Sequence, residues 1–291
     1  MSTSIWDSDE FMQNWDKKYV STNLKKGAKP YTKDFYLGLD QELSDISTEL
    51  RPISSAILVV SSCAVGRADI AGRLFDDLTL NSPPEESSQL FIRLREAVLM
   101  TFPFLGLPNC IPACYGMIGV LERKGAAYGS TESLRAPAMT SEDVRKGSEL
   151  RTKIYAPVGN SEIFGLMSKY FRDVSSTHLQ SLDEDELALT MAFCKDNSST
   201  GFTWGYLVSK ANEEVFSVQQ SHLIIAAAIS ALGATRQTRS HIKATLGLGW
   251  EPEVVKDVLR VVLKIADWAN KPIEGLEVDS FVTECQKRMV H

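Results

Sequence analysis

Two histidines and two arginines in the C-terminal half of the chain could perform acid–base chemistry. His241 lies in the stretch RQTRSHIK, shortly after Arg236 and Arg239, and His222 precedes an apolar run. An imidazole titrates near neutral pH and can move a proton, and an arginine can hold a carboxylate. Each also has a plainer interpretation. The histidines would satisfy buried hydrogen bonds, form a subunit contact or cap a helix, and the arginines would be solvated on a helix face.

Helical spacing divides these groups between two faces. Arg236 and Arg239 are three residues apart and share one face, whereas His241 is nearer the face of Gln237. Trp204 is expected to line a pocket, with ordinary core packing as the alternative. The candidate site residues are His241, His222, Arg236, Arg239, Trp204 and Gln237.

Other kinds of chemical site are weakly represented in the sequence. The spacing of Cys110 and Cys114 differs from that of a redox Cys-x-x-Cys pair, and core packing is the alternative. The four histidines lack the spacing of metal ligands. The glycines in Gly247-Leu248-Gly249 end a predicted helix, so they do not form a phosphate loop. We therefore predict no metal and no cofactor.

The elements that must position the site are helices. No stretch shows the alternation of a half-buried strand, and the apolar run 52–66 has the length and composition of a buried helix. Gly247 and Gly249 lie where a helix C-cap favours a left-handed residue, and Pro252 suits a first helical turn. These signals predict an all-α fold built as a helical bundle.

Composition divides the chain into four parts. We predict a polar N-terminal extension (1–37), a first helical repeat (38–124), a linker or ordered crossing loop (125–141) and a second helical repeat (142–291). Pro103 and Pro108 are expected to break the helical pattern. The predicted helices span about 9–18, 39–50, 52–66, 90–100, 112–123, 142–155, 161–172, 183–194, 218–233, 235–246, 252–268 and 274–288.

Two pairs of similar stretches indicate tandem, diverged repeats. The sequence from Ile57, ILVVSSCAVGRADIAGRLFDDL, resembles that from Ile224, IIAAAISALGATRQTRSHIKATL. In both, an apolar helix ends at a glycine and an arginine-containing helix follows. The sequences from Leu94 and Leu259 are also alike. Chance likeness between helical hairpins of similar composition is the alternative.

Residues 145–272 resemble the carboxymuconolactone decarboxylase and alkylhydroperoxidase D-like family. The stretches that carry this resemblance are KGSELRTKIYAPVG, TWGYLVSK and RSHIKATLGLGWEPEVVKDVLRVVLKIADWANKP. The last is similar to the family's arginine–histidine helix, glycine turn, acidic proline-initiated helix and closing aromatic-x-x-x-Pro. The resemblance implies a bundle of the alkylhydroperoxidase D-like type that assembles into a homo-oligomer.

The family has two chemistries, and the resemblance implies only one of them here. The redox branch uses a glutamate, a Cys-x-x-Cys pair and a histidine, and those positions hold His222, Ala234, Gln237 and His241. Without the two thiols this redox reaction cannot run. The lactone decarboxylase branch removes carbon dioxide from an unsaturated carboxylated lactone without a cofactor. The resemblance thus implies a small carboxylate or lactone as substrate, with His241 moving protons. It implies His241 and His222 as catalytic residues, and the residues that would bind the substrate are Arg236, Arg239, Trp204 and Gln237.

Charge and hydropathy narrow the expected partners. Among 291 residues, 44% are hydrophobic and 23% are charged, and the net charge is −6. This balance argues against binding nucleic acid or an acidic membrane surface. The apolar runs 57–60 and 223–232 are too short to cross a bilayer. We expect a cytoplasmic protein with reduced cysteines, no nucleic-acid partner and no membrane partner.

Three functional hypotheses remain open at this stage. The first is the cofactor-free decarboxylase-like enzyme, and the second is a non-catalytic duplicated scaffold for oligomerisation or for binding a protein partner. A weaker third is a peroxidase using Cys63 or Cys194 alone. A cavity enclosing His241 and an arginine would favour the enzyme, whereas a histidine packed against helices would favour the scaffold.

Overall fold

The computed structural model describes residues 9–155, 158 and 198–289, and within them helices are joined by short connections. No strand occurs in these ranges, which confirms the predicted all-α class. The helices predicted at 161–172 and 183–194, together with Cys194, lie outside the described residues. None of the described helices is both long enough and apolar enough to cross a bilayer.

Twelve α-helices are numbered here in chain order within the described ranges. A π-helical turn, Asp16–Val20, extends α1, and a longer π-helical segment, Ser198–Ser209, leads into α8. The helices are α1 (Asp9–Trp15), α2 (Lys33–Ile46), α3 (Ser54–Ala64), α4 (Ile70–Leu78), α5 (Pro84–Leu105), α6 (Leu107–Lys124), α7 (Ser141–Tyr155), α8 (Lys210–Glu214), α9 (Val218–Ala231), α10 (Thr235–Gly247), α11 (Pro252–Trp268) and α12 (Val278–Lys287).

Helices α3 and α9 pack against each other at the centre of the molecule. Every residue of α3 is buried, and α9 is buried from Ser221 to its end. A helix that is apolar all round is stable only when neighbours cover every side. Helices α5 and α11 each contact both central helices and provide part of that cover. One hydrophobic core therefore joins the two halves of the chain, and the prediction of a buried helix at 52–66 is confirmed.

The prolines of α5 and α6 interrupt less helix than the sequence predicts. Helix α5 runs through Pro103 to Leu105, and α6 begins at Leu107 with Pro108 in its first turn. The prediction that both prolines break the helix was wrong. A first-turn N–H has no helical partner, so a proline there loses nothing, and Pro103 lies only one turn from the helix end. The break itself falls at Gly106, whose φ is 82°.

Several predicted boundaries also shift. Helix α2 begins at Lys33, so the expected domain boundary at residue 37 lies inside a helix. Helix α12 starts four residues later than predicted, at Val278. Gly249 has the predicted left-handed conformation with a φ of 98°, whereas Gly247 is the last residue of α10 and lacks a positive φ. The remaining C-terminal helices agree with the sequence within about two residues.

Residues 125–141 form an ordered crossing loop that is anchored by Arg135. Its side chain is 5% exposed, lies 2.6 Å from the Glu96 carboxylate of α5, and donates to the carbonyl oxygens of Tyr206 and Leu207 at 2.8 Å each. Arg95 donates to two further carbonyl oxygens of the loop. The loop therefore ties α5 to the π-helical segment.

Candidate functional site

Four elements bring the two predicted catalytic histidines together with two aromatic residues. His222 lies near the start of α9, His241 lies in the middle of α10, Tyr155 ends α7, and Trp204 belongs to the π-helical segment. Helix α7 and this segment approach closely, because a Cβ added at Gly205 would overlap the α7 backbone. We call these four rings the imidazole cluster.

The rings of the imidazole cluster are stacked or perpendicular to one another. The His222 and His241 centroids are 5.2 Å apart and their planes differ by 19°. Trp204 stacks on the same pair at 6.1 Å from His222 and 6.5 Å from His241. The Tyr155 ring stands perpendicular to both imidazoles at about 6 Å, and Phe104 of α5 meets His241 edge-on at 5.8 Å. These are the separations and angles that aromatic pairs favour.

The two histidines differ in their hydrogen bonding. The Tyr155 hydroxyl lies 3.4 Å from each ring nitrogen of His241, at the outer limit of a hydrogen bond. His222 is fully buried, and within the described part of the chain neither of its ring nitrogens has a partner. An unsatisfied buried polar group costs about 1–3 kcal/mol, so this imidazole is a feature that needs an explanation.

Burial keeps both imidazoles neutral. It lowers the pKa of His241 to about 4. It also lowers the pKa of His222 well below the ordinary value, and neighbouring His241 adds to this effect. The backbone of His241 acts in the other direction and raises the pKa of His222, although the two groups are not aligned for a hydrogen bond. A neutral imidazole carries one N–H donor and one lone pair, so each ring can donate one hydrogen bond and accept another at neutral pH.

The arginines and the glutamine predicted to bind substrate lie apart from these rings. Arg236 and Gln237 are exposed in the first turn of α10. Arg239 pairs with Glu284 of α12 at 2.5 Å and lies over the Phe281 ring at 4.8 Å. Of the predicted site residues, the structure thus brings together His222, His241 and Trp204.

A different arginine, Arg151, adjoins the imidazole cluster. It lies four residues before Tyr155 and therefore on the same face of α7, and its guanidinium donates to the Thr200 hydroxyl. Burial raises the pKa of Tyr155, and the positive charge of Arg151 opposes that rise. Neither residue was predicted from the sequence as part of the site. The signal was present in KGSELRTKIYAPVG as an arginine and a tyrosine spaced by one helical turn.

Three cysteines form a second cluster that the sequence did not predict. The Cys63 thiol of α3 interacts with Cys110 of α6, and Cys114 lies one turn further along α6. The interaction with Cys110 and burial raise the pKa of Cys63 well above its ordinary value, whereas the same interaction lowers the pKa of Cys110. Cys63 is fully buried, which makes it a poor nucleophile for the single-cysteine peroxidase hypothesis.

A cavity of about 410 Å³ lies at another place in the fold. The connections α1–α2 and α3–α4, the start of α6 and the end of α11 line it. Its walls include neither His222 nor His241.

No protein-family model, curated protein or solved structure matches this chain. The resemblance carried by residues 145–272 accordingly stays a prediction.

Proposed function

We propose that this chain is a cofactor-free enzyme of the carboxymuconolactone decarboxylase-like type that acts on a small carboxylated or lactone substrate. One observation carries the proposal: His222 is fully buried against His241, and its ring nitrogens have no partner among the described residues. A substrate oxygen that bonded His222 would remove the cost of an unsatisfied buried imidazole. Sites that retain such costs are often functional.

The imidazole cluster has the groups that a decarboxylation requires. When the carbon–carboxylate bond breaks, carbon dioxide leaves and the electron pair passes into the conjugated carbonyl system of the substrate. A proton must then be added to carbon. In this proposal neutral His241 gives its ring proton to that carbon as its other ring nitrogen takes a proton from water, and the hydroxide left behind combines with the carbon dioxide. The Tyr155 hydroxyl beside His241 orients the ring. His222 holds the developing negative charge on the carbonyl oxygen by donating a hydrogen bond.

The substrate carboxylate needs a cation, and Arg151 is the arginine best situated to supply it. It adjoins Tyr155, whereas Arg239 lies against α12 beside Glu284 and Arg236 is exposed at the start of α10. Trp204 stacks on both imidazoles and would form the wall against which a planar unsaturated ring packs.

The test is carbon dioxide release from a panel of unsaturated carboxylated lactones. We expect turnover by the wild type, a loss of at least a hundredfold in His241→Asn, and a similar loss in Arg151→Gln. Arg236→Gln is the matched control, because it removes an exposed arginine away from the rings, and it should retain activity. The proposal fails if no lactone is turned over, or if His241→Asn and Arg236→Gln lose activity equally.

The duplicated, non-catalytic scaffold is the second candidate, and the packing of His241 favours it. That side chain is only 7% exposed and is enclosed by rings from α5, α7, α9 and the π-helical segment. In a scaffold, no lactone or carboxylate would shift the NMR resonances of His241 or His222. A ligand-induced shift at either ring would instead favour the enzyme.

The bundle of the alkylhydroperoxidase D-like type and its duplication are part of the same proposal. In the proposed duplication, the four consecutive helices α3–α6 correspond in chain order to the four consecutive helices α9–α12. Helix α3 packs on its proposed counterpart α9. The glycines that follow these two helices, Gly66 and Gly233, have nearly equal φ values of 71° and 72°. Both α5 and α11 begin at a proline. The predicted homo-oligomer and the cytoplasmic location stay predictions.

A further inference from the structure

The cavity of about 410 Å³ is lined by an unusual concentration of positive charge for an acidic chain. Lys25 and Lys26 reach it from the α1–α2 connection, Lys271 from the end of α11, and Arg67 from the α3–α4 connection. Asp69 is the one acidic residue on its described walls. A protein with a net charge of −6 thus has a cationic cavity, which concentrates small anions.

Among the described residues, the arginine on these walls is paired with a carboxylate, whereas the lysines are not. Arg67 makes a two-pronged ion pair with Asp69 at 2.9 Å, donates to the Lys29 carbonyl oxygen and lies over the Trp268 ring. It therefore has little capacity left for a ligand. By contrast, none of the three lysines forms an ion pair with a carboxylate in the described part of the chain.

Two of those lysines, Lys25 and Lys271, line the same cavity and repel each other. Lys25 and burial both lower the pKa of Lys271, burial being the larger cause. The Lys271 ammonium also lies over Gly66, where an added Cβ would come within 3.0 Å of Nζ. Like charges that converge without a counter-ion repel each other, and a bound anion would relieve that repulsion.

We propose that this cavity binds the phosphate group of a small phosphorylated molecule. The unpaired cations are lysines, which bind phosphate as point charges, while the planar arginine fork that suits a carboxylate is occupied by Asp69. The first turn of α6 also borders the cavity, and helix N-termini favour anions.

The cavity has room for more than phosphate alone. Its volume falls within the range of small-molecule sites, and Val20, Leu24, Val65 and Pro112 give it apolar walls. The ligand is therefore a phosphate ester with an uncharged, partly apolar body. This site is separate from the imidazole cluster, so the failure of either proposal leaves the other intact.

The experiment measures pyrophosphate and phenyl phosphate binding to the full chain by isothermal titration calorimetry at low ionic strength, with citrate as the carboxylate comparison. Lys25→Gln and Lys271→Gln should each weaken binding of both phosphates about tenfold or more. Lys287→Gln removes the same charge from an exposed position of α12 outside the cavity, and it should change the affinity less than about twofold. Binding should weaken as salt is added.

The ends of α3 and α11 also border the cavity, so the lysines could instead stabilise these helix C-termini. In that case Lys271→Gln would lower the thermal midpoint without altering phosphate affinity, and the proposal would be overturned. Citrate binding tighter than both phosphates would overturn the choice of phosphate. Absence of heat for all three anions with the wild type would overturn the site itself.

Discussion

Replacing Arg135 by alanine should destabilise this protein more than any single change at an exposed ion pair. The Arg135 side chain is 5% exposed and its partner Glu96 is 1% exposed, so both charges have left water. The substitution leaves Glu96 buried, and among the described residues its remaining ion pair is with Arg95 at 3.1 Å. It also removes the donor to two carbonyl oxygens of the π-helical segment.

The magnitude follows from this burial. Removing one partner of a buried ion pair costs about 3–5 kcal/mol when the remaining charge is left without a partner. Arg95 still contacts Glu96 at 3.1 Å after the substitution, which favours the lower figure. The Glu96 oxygen nearest Arg135 lacks an aligned hydrogen bond, which weakens the pair and favours the lower figure. The loss of the hydrogen bonds to the carbonyl oxygens of Tyr206 and Leu207 increases the destabilisation. We therefore expect Arg135→Ala to lower the free energy of unfolding by about 3–5 kcal/mol.

The assay is urea denaturation of Arg135→Ala beside Arg145→Ala. Arg145 has ion pairs of 2.5 Å with Glu142 and Glu149, but its side chain is 56% exposed, so solvent screens them and the change should be small. The double variant Glu96→Leu/Arg135→Met should recover much of the stability lost in Arg135→Ala. Equal losses in Arg135→Ala and Arg145→Ala would refute the reasoning, since they would show that burial is irrelevant.

Three further outcomes test other parts of the structure. The pKa of His241 is lowered from 6.5 to about 4 in the folded protein, so as pH falls the unfolded chain binds the proton first. The free energy of unfolding should therefore decrease as the pH drops from 6.5 to about 4. Urea denaturation at several pH values should show a weaker fall in His241→Asn, and an unchanged slope would contradict the burial of this imidazole. Gly205→Ala should lower the free energy of unfolding by about 1–3 kcal/mol, because the added methyl group forces α7 away. Gly38→Ala has open space around it and should be neutral or stabilising, as measured by calorimetry. If Gly38→Ala were the more destabilising of the two, the close approach of α7 to Gly205 would be contradicted. In native protein Cys63 should react with a thiol reagent far more slowly than partly exposed Cys114, and equal rates would show that α3 is accessible.

The general architecture was predictable because local patterns determine it. The absence of alternation excluded strands among the described residues, and the apolar run at 52–66 identified α3 as a buried helix. Proline was a poorer guide. Its effect depends on whether the missing N–H had a partner, and Pro108 falls in a first turn where it had none.

The candidate site was predictable in part, for a related reason. The resemblance singled out His222, His241 and Trp204, which the fold brings together from three elements. Spacing along α10 could not show that Arg239 would turn towards Glu284, because that partner lies on α12. The Cys63–Cys110 contact joins α3 to α6, and nothing in either local sequence marks the other as a partner. Long-range partners are decided by packing, which a single sequence does not display.

The pairing of α3 with α9 has a consequence for synthesis in the cell. Translation must add residues 65–217 after α3 before α9 emerges, which takes roughly 8–30 s at about 5–20 residues per second. During that interval the apolar surface of α3 lacks the helix that covers it in the finished molecule. The nascent chain therefore carries an incompletely covered apolar helix during this interval, a state that is prone to aggregation. Synonymous codons that slow the ribosome between these helices should lower the yield of folded protein.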